Sequence, residues 1–200
     1  LSNAFLDMSK SIYEYQQSLE EKVEQRTKEL NIKNEELFKL SITDKLTGLY
    51  NRVKLDSVLQ ENMSLSLRYG NIFSVIIIDI DFFKKINDNF GHQVGDDVLK
   101  ECSYILSQNI RNVDTLGRWG GEEFLVVCPE TLKDGAKDLA IKLNKAIKLH
   151  KFSTYPHSVT ISVGVASCSV NDLNYDDIIS NADKALYEAK NNGRDRVEIF

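Results

Sequence analysis

The chain has 200 residues, of which 42% are hydrophobic and 28% charged, enough for one domain with a core plus an extension. Its formal net charge of −5 argues against broad binding of DNA or RNA, because a protein that binds the phosphate backbone normally presents a basic face. The sequence has no apolar run of about 18 residues, which excludes a membrane-spanning helix within this chain.

Residues 5 to 41 contain neither Gly nor Pro and place a seam of residues at alternating steps of four and three. This spacing predicts an N-terminal coiled coil over residues 1–41 and favours a parallel homodimer, although three polar seam residues weaken it. The alternative is one long amphipathic helix that packs on its own domain. Residues 1–4 include Ser2-Asn3-Ala4, which is typical of an expression-tag remnant. The seam residues are Ile12, Gln16, Leu19, Val23, Arg26, Leu30, Lys33, Leu37 and Leu40.

The remaining sequence, 42–200, predicts one domain that begins after a break at Ser41-Ile-Thr-Asp44. From strand 73–80 onward the order is β-α-β-β-α-β, which predicts an α+β, ferredoxin-like fold with helices covering an antiparallel sheet. The predicted elements are short helices within 44–69, strand 73–80, helix 94–110, strands 114–118 and 123–128, helix 133–150, strand 158–168, helix 175–191 and strand 195–200.

Three cysteines, Cys102, Cys128 and Cys168, are widely separated and lack metal-ligand spacing. We expect reduced core thiols in a reducing compartment, and therefore a cytoplasmic location. Whether an upstream sensory region anchors the full-length protein to a membrane, or the chain is a short protein as it stands, is left open by the sequence.

The segment Arg118-Trp-Gly-Gly-Glu-Glu-Phe124 places two glycines and two carboxylates on a tight turn between two predicted strands. Glycine adopts positive φ and lets a ligand approach the backbone, so this turn can hold a metal against a phosphate. The alternative is a hairpin whose acidic residues face solvent and bind nothing.

A second acidic pair ends the apolar run Phe73-Ser-Val-Ile-Ile-Ile-Asp-Ile-Asp81, which is typical of a strand buried on both faces. Carboxylates at such a position are costly to bury unless they are paired or bind a cation, and oxygen ligands suit Mg²⁺. In the predicted topology Asp79 and Glu122 lie side by side and can share one ion. The alternative, a carboxylate that caps the following turn, suits Asp81 better than Asp79.

Six ordered motifs together resemble one known family, the GGDEF-domain diguanylate cyclases, over about residues 40 to 200. Members of that family condense two GTP molecules into cyclic di-GMP. The chain carries the GGEEF variant, since Glu122 replaces Asp but keeps the carboxylate, and its other departures are Trp119 and Asp195. The motifs are Asp44-Lys-Leu-Thr-Gly-Leu-Tyr-Asn-Arg52, Asp79-Ile-Asp-Phe-Phe-Lys-Lys-Ile-Asn-Asp88, Gly91-His-Gln-Val-Gly-Asp96, Gly120-Gly-Glu-Glu-Phe124, Ser162-Val-Gly-Val-Ala166, and Ala182-Asp-Lys-Ala-Leu-Tyr-Glu-Ala-Lys190 with Gly193-Arg194.

The resemblance implies a nucleotidyl cyclase-like domain over 42–200 behind an N-terminal signalling helix. We expect Asp79, Glu122 and Glu123 to be catalytic, with Glu122 helping to activate the attacking hydroxyl. Asp79, the backbone carbonyl of Ile80, Glu122 and Glu123 would form the metal cage for Mg²⁺ or Mn²⁺, whether one ion or two.

The resemblance also implies a GTP site. Lys84, Lys190 and Arg194 would contact the phosphates, although Lys190 also suits a helix C-terminus and the others a solvated surface. Asn87 and Asp96 would recognise guanine, because a carboxylate accepts from donors that adenine does not offer there. His92 would lie near the nucleotide, or else be a packed or capping residue. Gly120 and Gly121 complete the predicted GTP-binding residues.

Arg111-Asn-Val-Asp114 lies nine residues before Gly120, where the family has its inhibitory product-binding motif. An Arg with a neighbouring Asp can bind the phosphate and guanine of cyclic di-GMP. The alternative is an ion pair between residues three apart at a helix end.

The sequence thus favours a dimeric, product-inhibited diguanylate cyclase. A second hypothesis is a non-catalytic cyclic di-GMP receptor that signals through its coiled coil, although such a receptor does not need the acidic cluster. A third, a structural dimerisation module, explains the helix but not the carboxylates.

Overall fold

The computed structural model describes residues 2–169, 172 and 174–200, with only the backbone described for residues 2–7, 9, 12, 14 and 35. It divides into two compact units, the first ending at Ser41 and the second running Ile42–Phe200. No helix in the described part of the chain is long and apolar enough to cross a membrane.

The first unit is helix α1 (Ser2–Ile42). The apolar seam side chains Leu19, Val23, Leu30, Leu37 and Leu40 are between 50% and 63% exposed. Ion pairs one helical turn apart lie along the helix: Lys28 pairs with Glu24, and the polar seam residue Arg26 pairs with Glu29. Leu1 and the Ile12 side chain, both covered by the sequence predictions, lie outside the described residues.

The second unit places helices against both faces of a five-stranded sheet with strand order β2-β3-β1-β4-β5. Strand β1 is antiparallel to both β3 and β4, β2 is antiparallel to β3, and β5 adds a parallel edge beside β4. The ferredoxin-like βαββαβ prediction is confirmed, and the strand predicted at 195–200 is the shorter β5 (Val197–Ile199). The elements are α2 (Arg52–Tyr69), β1 (Phe73–Ile80), α3 (Phe83–Phe90), α4 (His92–Ser107), β2 (Thr115–Gly120), β3 (Glu123–Pro129), α5 (Lys133–Leu149), β4 (Ile161–Ser167), α6 (Tyr175–Asn191) and β5 (Val197–Ile199).

Strand β1 lies at the centre of this sheet, and all eight of its residues are buried. Ile76, Ile78 and Ile80 face the core beneath α4 and α5, whereas Val75 and Ile77 face the core beneath α2 and α6. This two-sided burial is the reason that the strand is a continuous apolar run rather than an alternating one.

The structure differs from the predicted elements in two helical regions. The short helices predicted within 44–69 are a turn followed by the single helix α2, whose Asn51 cap accepts a hydrogen bond from the Lys54 N–H. Helix α3 was not predicted, because its segment was interpreted as a ligand-binding motif. Gly91, with φ of 85°, separates it from α4 and allows the abrupt change of direction.

The cysteines are free thiols. Cys102 and Cys128 are buried and Cys168 is partly exposed. Burial raises the pKa of all three, which keeps them protonated at neutral pH.

Candidate functional site

The carboxyl end of β1 lies beside the turn between β2 and β3. Asp79 is the register partner of Glu123 across the β1–β3 pair, and the Ile80 N–H donates a 3.4 Å hydrogen bond to the Glu122 carbonyl. The sheet therefore brings Asp79, Ile80, Glu122 and Glu123 together from two segments some forty residues apart. Within the described residues, no three His, Cys, Asp or Glu side chains are arranged as a ready metal-ligand cluster.

A salt bridge 2.8 Å long joins the Asp79 carboxylate to the Lys190 ammonium at the end of α6. Burial raises the pKa of Asp79, and Lys190 partly offsets this, while Glu122 and Asp81 add repulsion. Burial, followed by the Asp79 charge, also raises the pKa of Glu123. Crowding and partial desolvation of this kind disfavour several uncompensated negative charges, and Lys190 supplies one compensating charge.

Asp81, two residues after Asp79, has a structural role. Its carboxylate accepts hydrogen bonds from the hydroxyls of Thr160 and Ser162, at 2.7 and 2.6 Å, and from the Asp195 N–H at 3.1 Å. This carboxylate ties the end of β1 to β4 and to the turn after α6. It therefore fixes where the neighbouring Arg194 lies relative to Asp79.

A cavity of about 430 Å³ opens between α3, α4 and the β2–β3 turn. The structure brings five of the predicted substrate residues to this cavity, together with Glu122, whereas Gly120, Lys190 and Arg194 lie outside its lining. In the described part of the chain, Lys84, Asn87, His92 and Asp96 have no hydrogen-bond or ion-pair partner of their side chains. The lining residues are Phe83, Lys84, Asn87, Asp88, His92, Asp96, Leu99, Arg118, Gly121 and Glu122.

Gly120 and Gly121 leave the approach to the turn open. Gly121 has a φ of 44°, which side chains rarely adopt, and a Cβ added at either glycine would meet no atom within 4 Å. The backbone of the turn can thus be approached closely by a ligand.

Asn87 owes its position to Gly95 on the facing helix. A Cβ added at Gly95 would lie 1.9 Å from the Asn87 Oδ1 atom and 3.3 Å from the Phe83 ring. The Asn87 amide therefore packs directly on the backbone of α4, one residue before Asp96. Because α3 is short and α4 follows at once, the two polar side chains reach the same cavity.

Arg118 anchors the turn and was not among the predicted site residues. Its Nε–H donates to the Gly121 carbonyl at 2.8 Å, and its Nη1 contacts both carboxylate oxygens of Asp44 at 3.3 Å. Asp44 also accepts from the Thr47 N–H and hydroxyl. Asp44 and Arg118 are 74 residues apart, so only the shared presence of the Asp44 and GGEEF motifs could have suggested this pairing.

Arg111 and Asp114 form a turn before β2. The Arg111 N–H donates to Asp114 Oδ2 at 2.9 Å, whereas the Arg111 guanidinium is exposed and forms no ion pair with Asp114. Asp114 is 8% exposed, and its Oδ1 is buried with no hydrogen-bond partner among the described residues. Asp114 also lines a cavity of about 330 Å³ with Gly48, Leu49, Tyr50, Ser107, Ile110 and Leu116.

Residues 41–196 match the family model described as "Diguanylate cyclase, GGDEF domain". The chain belongs to this family. The sequence resemblance is therefore confirmed over the part of the chain that forms strands β1 to β4, the acidic residues and the cavity.

Curated relatives include the response regulator PleD of Caulobacter vibrioides, which is 39% identical over 163 residues, covering 79% of this chain and 36% of PleD. Diguanylate cyclase A of Treponema denticola is 36% identical over 203 residues, covering 99% of this chain and 53% of that protein. The chain thus spans between about one third and about one half of the length of these relatives.

Solved structures of the family share the fold. The coiled coil and GGDEF domain of DgcB from Caulobacter crescentus, in complex with cyclic di-GMP, matches with a TM-score of 0.83 and 27% identity, covering 92% of this chain and all of that chain (100%). The active GGEEF domain of a diguanylate cyclase from Vibrio cholerae matches with a TM-score of 0.72 and 37% identity, covering 75% of this chain and 96% of that chain.

Proposed function

We propose that the protein is a diguanylate cyclase that joins two GTP molecules into cyclic di-GMP and releases two pyrophosphates. The observation that carries this proposal is that the β1–β3 register pairs Asp79 with Glu123, next to Glu122 in the lining of a cavity of about 430 Å³. In each half-reaction the 3′-hydroxyl of one GTP attacks the α-phosphorus of the other. A new O–P bond forms as the bond to the leaving pyrophosphate breaks, and Glu122 assists removal of the hydroxyl proton.

The donor set fits Mg²⁺ or Mn²⁺. Burial and mutual repulsion raise the pKa of Asp79 and Glu123, a strain that a divalent cation would relieve, and hard oxygen donors suit these ions. Asp79, the Ile80 carbonyl, Glu122 and Glu123 would hold the metal. Such a cation neutralises charge that develops on the phosphate oxygens. Lys190, which forms a salt bridge with Asp79 in the structure, would then contact the triphosphate instead.

GTP would lie with guanine in the cavity and its phosphates toward the end of α6. Asn87 and Asp96 are the proposed guanine contacts, and His92 lies at the same rim. The backbone at Gly120 and Gly121 allows the nucleotide to approach, while the cations Lys84, Lys190 and Arg194 bind the phosphates. This division places guanine recognition on α3 and α4, whereas the phosphate-binding cations come from α3, which carries Lys84, from the end of α6, which carries Lys190, and from the turn after it, which carries Arg194.

Two such half-sites must face each other, because each protomer holds one GTP and the reaction consumes two. Helix α1 is the proposed dimerisation element, since its apolar seam is at least half exposed on the single chain. Holding two domains on a paired helix raises their effective concentration, so the helix can transmit a signal by controlling whether the half-sites meet.

The turn at Arg111 and Asp114 is the proposed inhibitory product site. The buried Asp114 Oδ1 has no partner in the described part of the chain, and such an acceptor is costly unless a ligand donor reaches it. The amino and imino groups of guanine are donors of that kind, and the exposed Arg111 guanidinium is available for a phosphate. The same site would serve the alternative function, a receptor that binds cyclic di-GMP without making it.

The deciding experiment incubates the purified chain with GTP, with and without Mg²⁺, and separates the products by mass-resolved chromatography. Metal-dependent cyclic di-GMP, formed at a rate per protomer that rises with protein concentration, is expected. Unchanged GTP, after bound product has been stripped and at concentrations that favour dimers, would instead support the receptor.

Replacing Gly95 by Ala is expected to weaken the use of GTP as a substrate without unfolding the domain. The added methyl must displace the flexible Asn87 amide, 1.9 Å away, rather than backbone. Loss of one polar contact predicts about a tenfold drop in kcat/KM for GTP. In an Asn87→Ala background, where no amide is present to displace, Gly95→Ala should add little. A full additional tenfold loss there would mean that Gly95 acts in some other way.

Arg111→Ala is expected to relieve product inhibition. Loss of a charge-assisted contact to phosphate predicts at least about a tenfold rise in the cyclic di-GMP concentration that halves the initial rate. Each variant is normalised to its own rate before product accumulates. Arg68→Ala, which removes an exposed arginine at the end of α2, is the matched control. Equal inhibition of both variants would exclude this turn as the product site.

A further inference from the structure

Phe82, which joins Asp81, just after the end of β1, to helix α3, has an unusual backbone. Its φ of 56° and ψ of 26° lie in the left-handed region, which Gly adopts freely and which is strained for a bulky aromatic residue. Strained backbone of this kind persists only where surrounding contacts impose it, and it concentrates at functional sites. The side chain of Phe82 therefore provides something that a glycine at this position would not.

The strain at Phe82 lies opposite a second strained turn. Arg194 and Asp195, after α6, have φ angles of 64° and 48°. The Asp81 carboxylate accepts the Asp195 N–H at 3.1 Å, which joins the two turns directly. Arg194 itself closes α6 through a 2.9 Å hydrogen bond from its N–H to the Ala189 carbonyl. The backbones of both turns are thus held in register at one corner of the site.

The Phe82 ring contacts cations rather than the core. It is 50% exposed, with the Arg194 guanidinium carbon 4.6 Å from its centroid and the Lys85 ammonium 4.5 Å away. Within the described residues, the Arg194 guanidinium has no hydrogen-bond or ion-pair partner. An aromatic face attracts a cation without neutralising it or occupying its N–H donors. A carboxylate in the same place would neutralise the guanidinium and occupy its N–H donors.

We propose that Phe82 is a positioning residue, which holds the Arg194 guanidinium by cation–π contact in the orientation that binds the phosphates of a nucleoside triphosphate. Lys85, on the same ring, is a second cation at this corner. The inference rests on the proposed function, because it assigns the phosphate end of the same nucleotide site. The left-handed backbone at Phe82 is what turns the ring toward Arg194 instead of toward the sheet.

The test compares Phe82→Leu, which keeps an apolar side chain without the ring face, with Phe82→Tyr, which keeps the face. Binding is measured with Mg²⁺ and 3′-deoxy-GTP, which lacks the attacking hydroxyl and is not consumed, and separately with GMP. Phe82→Leu is expected to lower the affinity for 3′-deoxy-GTP about two- to fivefold and to leave the affinity for GMP unchanged. Phe82→Tyr is expected to bind both ligands as the wild type does. Equal loss of both ligands, or no loss of either, would overturn the proposal.

A double-mutant cycle isolates the contact. In an Arg194→Ala background, Phe82→Leu should have little further effect on the binding of 3′-deoxy-GTP, because the guanidinium that Phe82 is proposed to position is gone and only Lys85 remains on the ring. Retention of the full effect would mean that Phe82 acts elsewhere. If the wild-type chain itself binds no 3′-deoxy-GTP, both the proposed function and this inference fail. If the wild type binds but Phe82→Leu is silent, only the inference fails.

The melting temperature of a third variant, Phe82→Gly, distinguishes the cost of the left-handed backbone at Phe82 from any stabilisation by its side chain. Phe82→Gly removes the ring and relieves the left-handed strain, so it should melt about 2–4 °C above Phe82→Leu while binding 3′-deoxy-GTP no better. A Phe82→Gly variant that melts below Phe82→Leu would mean that an apolar side chain at this position stabilises the fold by more than the left-handed backbone costs, and would contradict the strain assigned to Phe82.

Discussion

Replacing Glu122 by Gln is expected to lower the rate of cyclic di-GMP formation by at least about 10²- to 10⁴-fold, the usual contribution of a positioned acid–base group. The carboxylate lines the cavity beside Asp79 and is proposed both to hold metal and to assist deprotonation. Glutamine keeps the size and shape but cannot take the proton. The backbone carbonyl of Glu122, which accepts from Ile80, is unaffected, so the turn should keep its form.

The measurement is a GTP turnover assay with matched controls. Glu61→Gln, on the exposed face of α2, makes the same charge change away from the site and should turn over normally. Cyclic di-GMP binding should be equal in all three proteins, because Arg111 and Asp114 lie elsewhere. Turnover by Glu122→Gln within about fivefold of the wild type would remove Glu122 from the mechanism, since it falls far below the expected effect.

Much of the fold follows from sequence because its determinants are local. Apart from Ser74, β1 is apolar until Asp79, and its predicted bounds match the observed strand. Alternation of helices and strands after it leaves few topologies in which connections remain short. Once β1 and the β2–β3 hairpin are adjacent, Asp79 must lie beside the GGEEF turn. That much of the acidic cluster is a consequence of topology.

The features that sequence reasoning missed depend on contacts between distant segments. Asp44 and Arg118 meet across 74 residues, and Asp81 reaches Asp195 across 114. Neither pairing follows from the local pattern, since charged residues in motifs look alike whether they bind ligand or protein. The left-handed conformation at Phe82 is similarly invisible, because the sequence offers an aromatic where a glycine would have signalled it. Tertiary contacts decide each of these.

Gly164→Ala is expected to cause the largest loss of stability of the substitutions considered. Gly164 lies in β4 as the register partner of Ile77, directly beneath α6. An added Cβ would lie 2.1 Å from the Ala182 carbonyl oxygen and 2.4 Å from the Leu186 nitrogen, both backbone atoms that no rotamer change can move. The helix must shift, and overpacking of this kind costs about 3 kcal/mol, a large share of a typical domain's stability.

Urea denaturation measures this loss, with Gly135→Ala as the control, because its added methyl meets only the Thr131 side chain at 3.3 Å and improves a helical position. Unchanged stability of Gly164→Ala would show that α6 lies further from β4 than described. The shift would also reach the proposed phosphate site, since α6 carries Lys190 and leads to Arg194. At low temperature, where the variant remains folded, we expect it to lose more affinity for GTP than for GMP relative to the wild type. The shift of α6 would move Lys190 and Arg194, two of the proposed phosphate contacts, whereas α3 and α4 would keep the proposed guanine contacts in place.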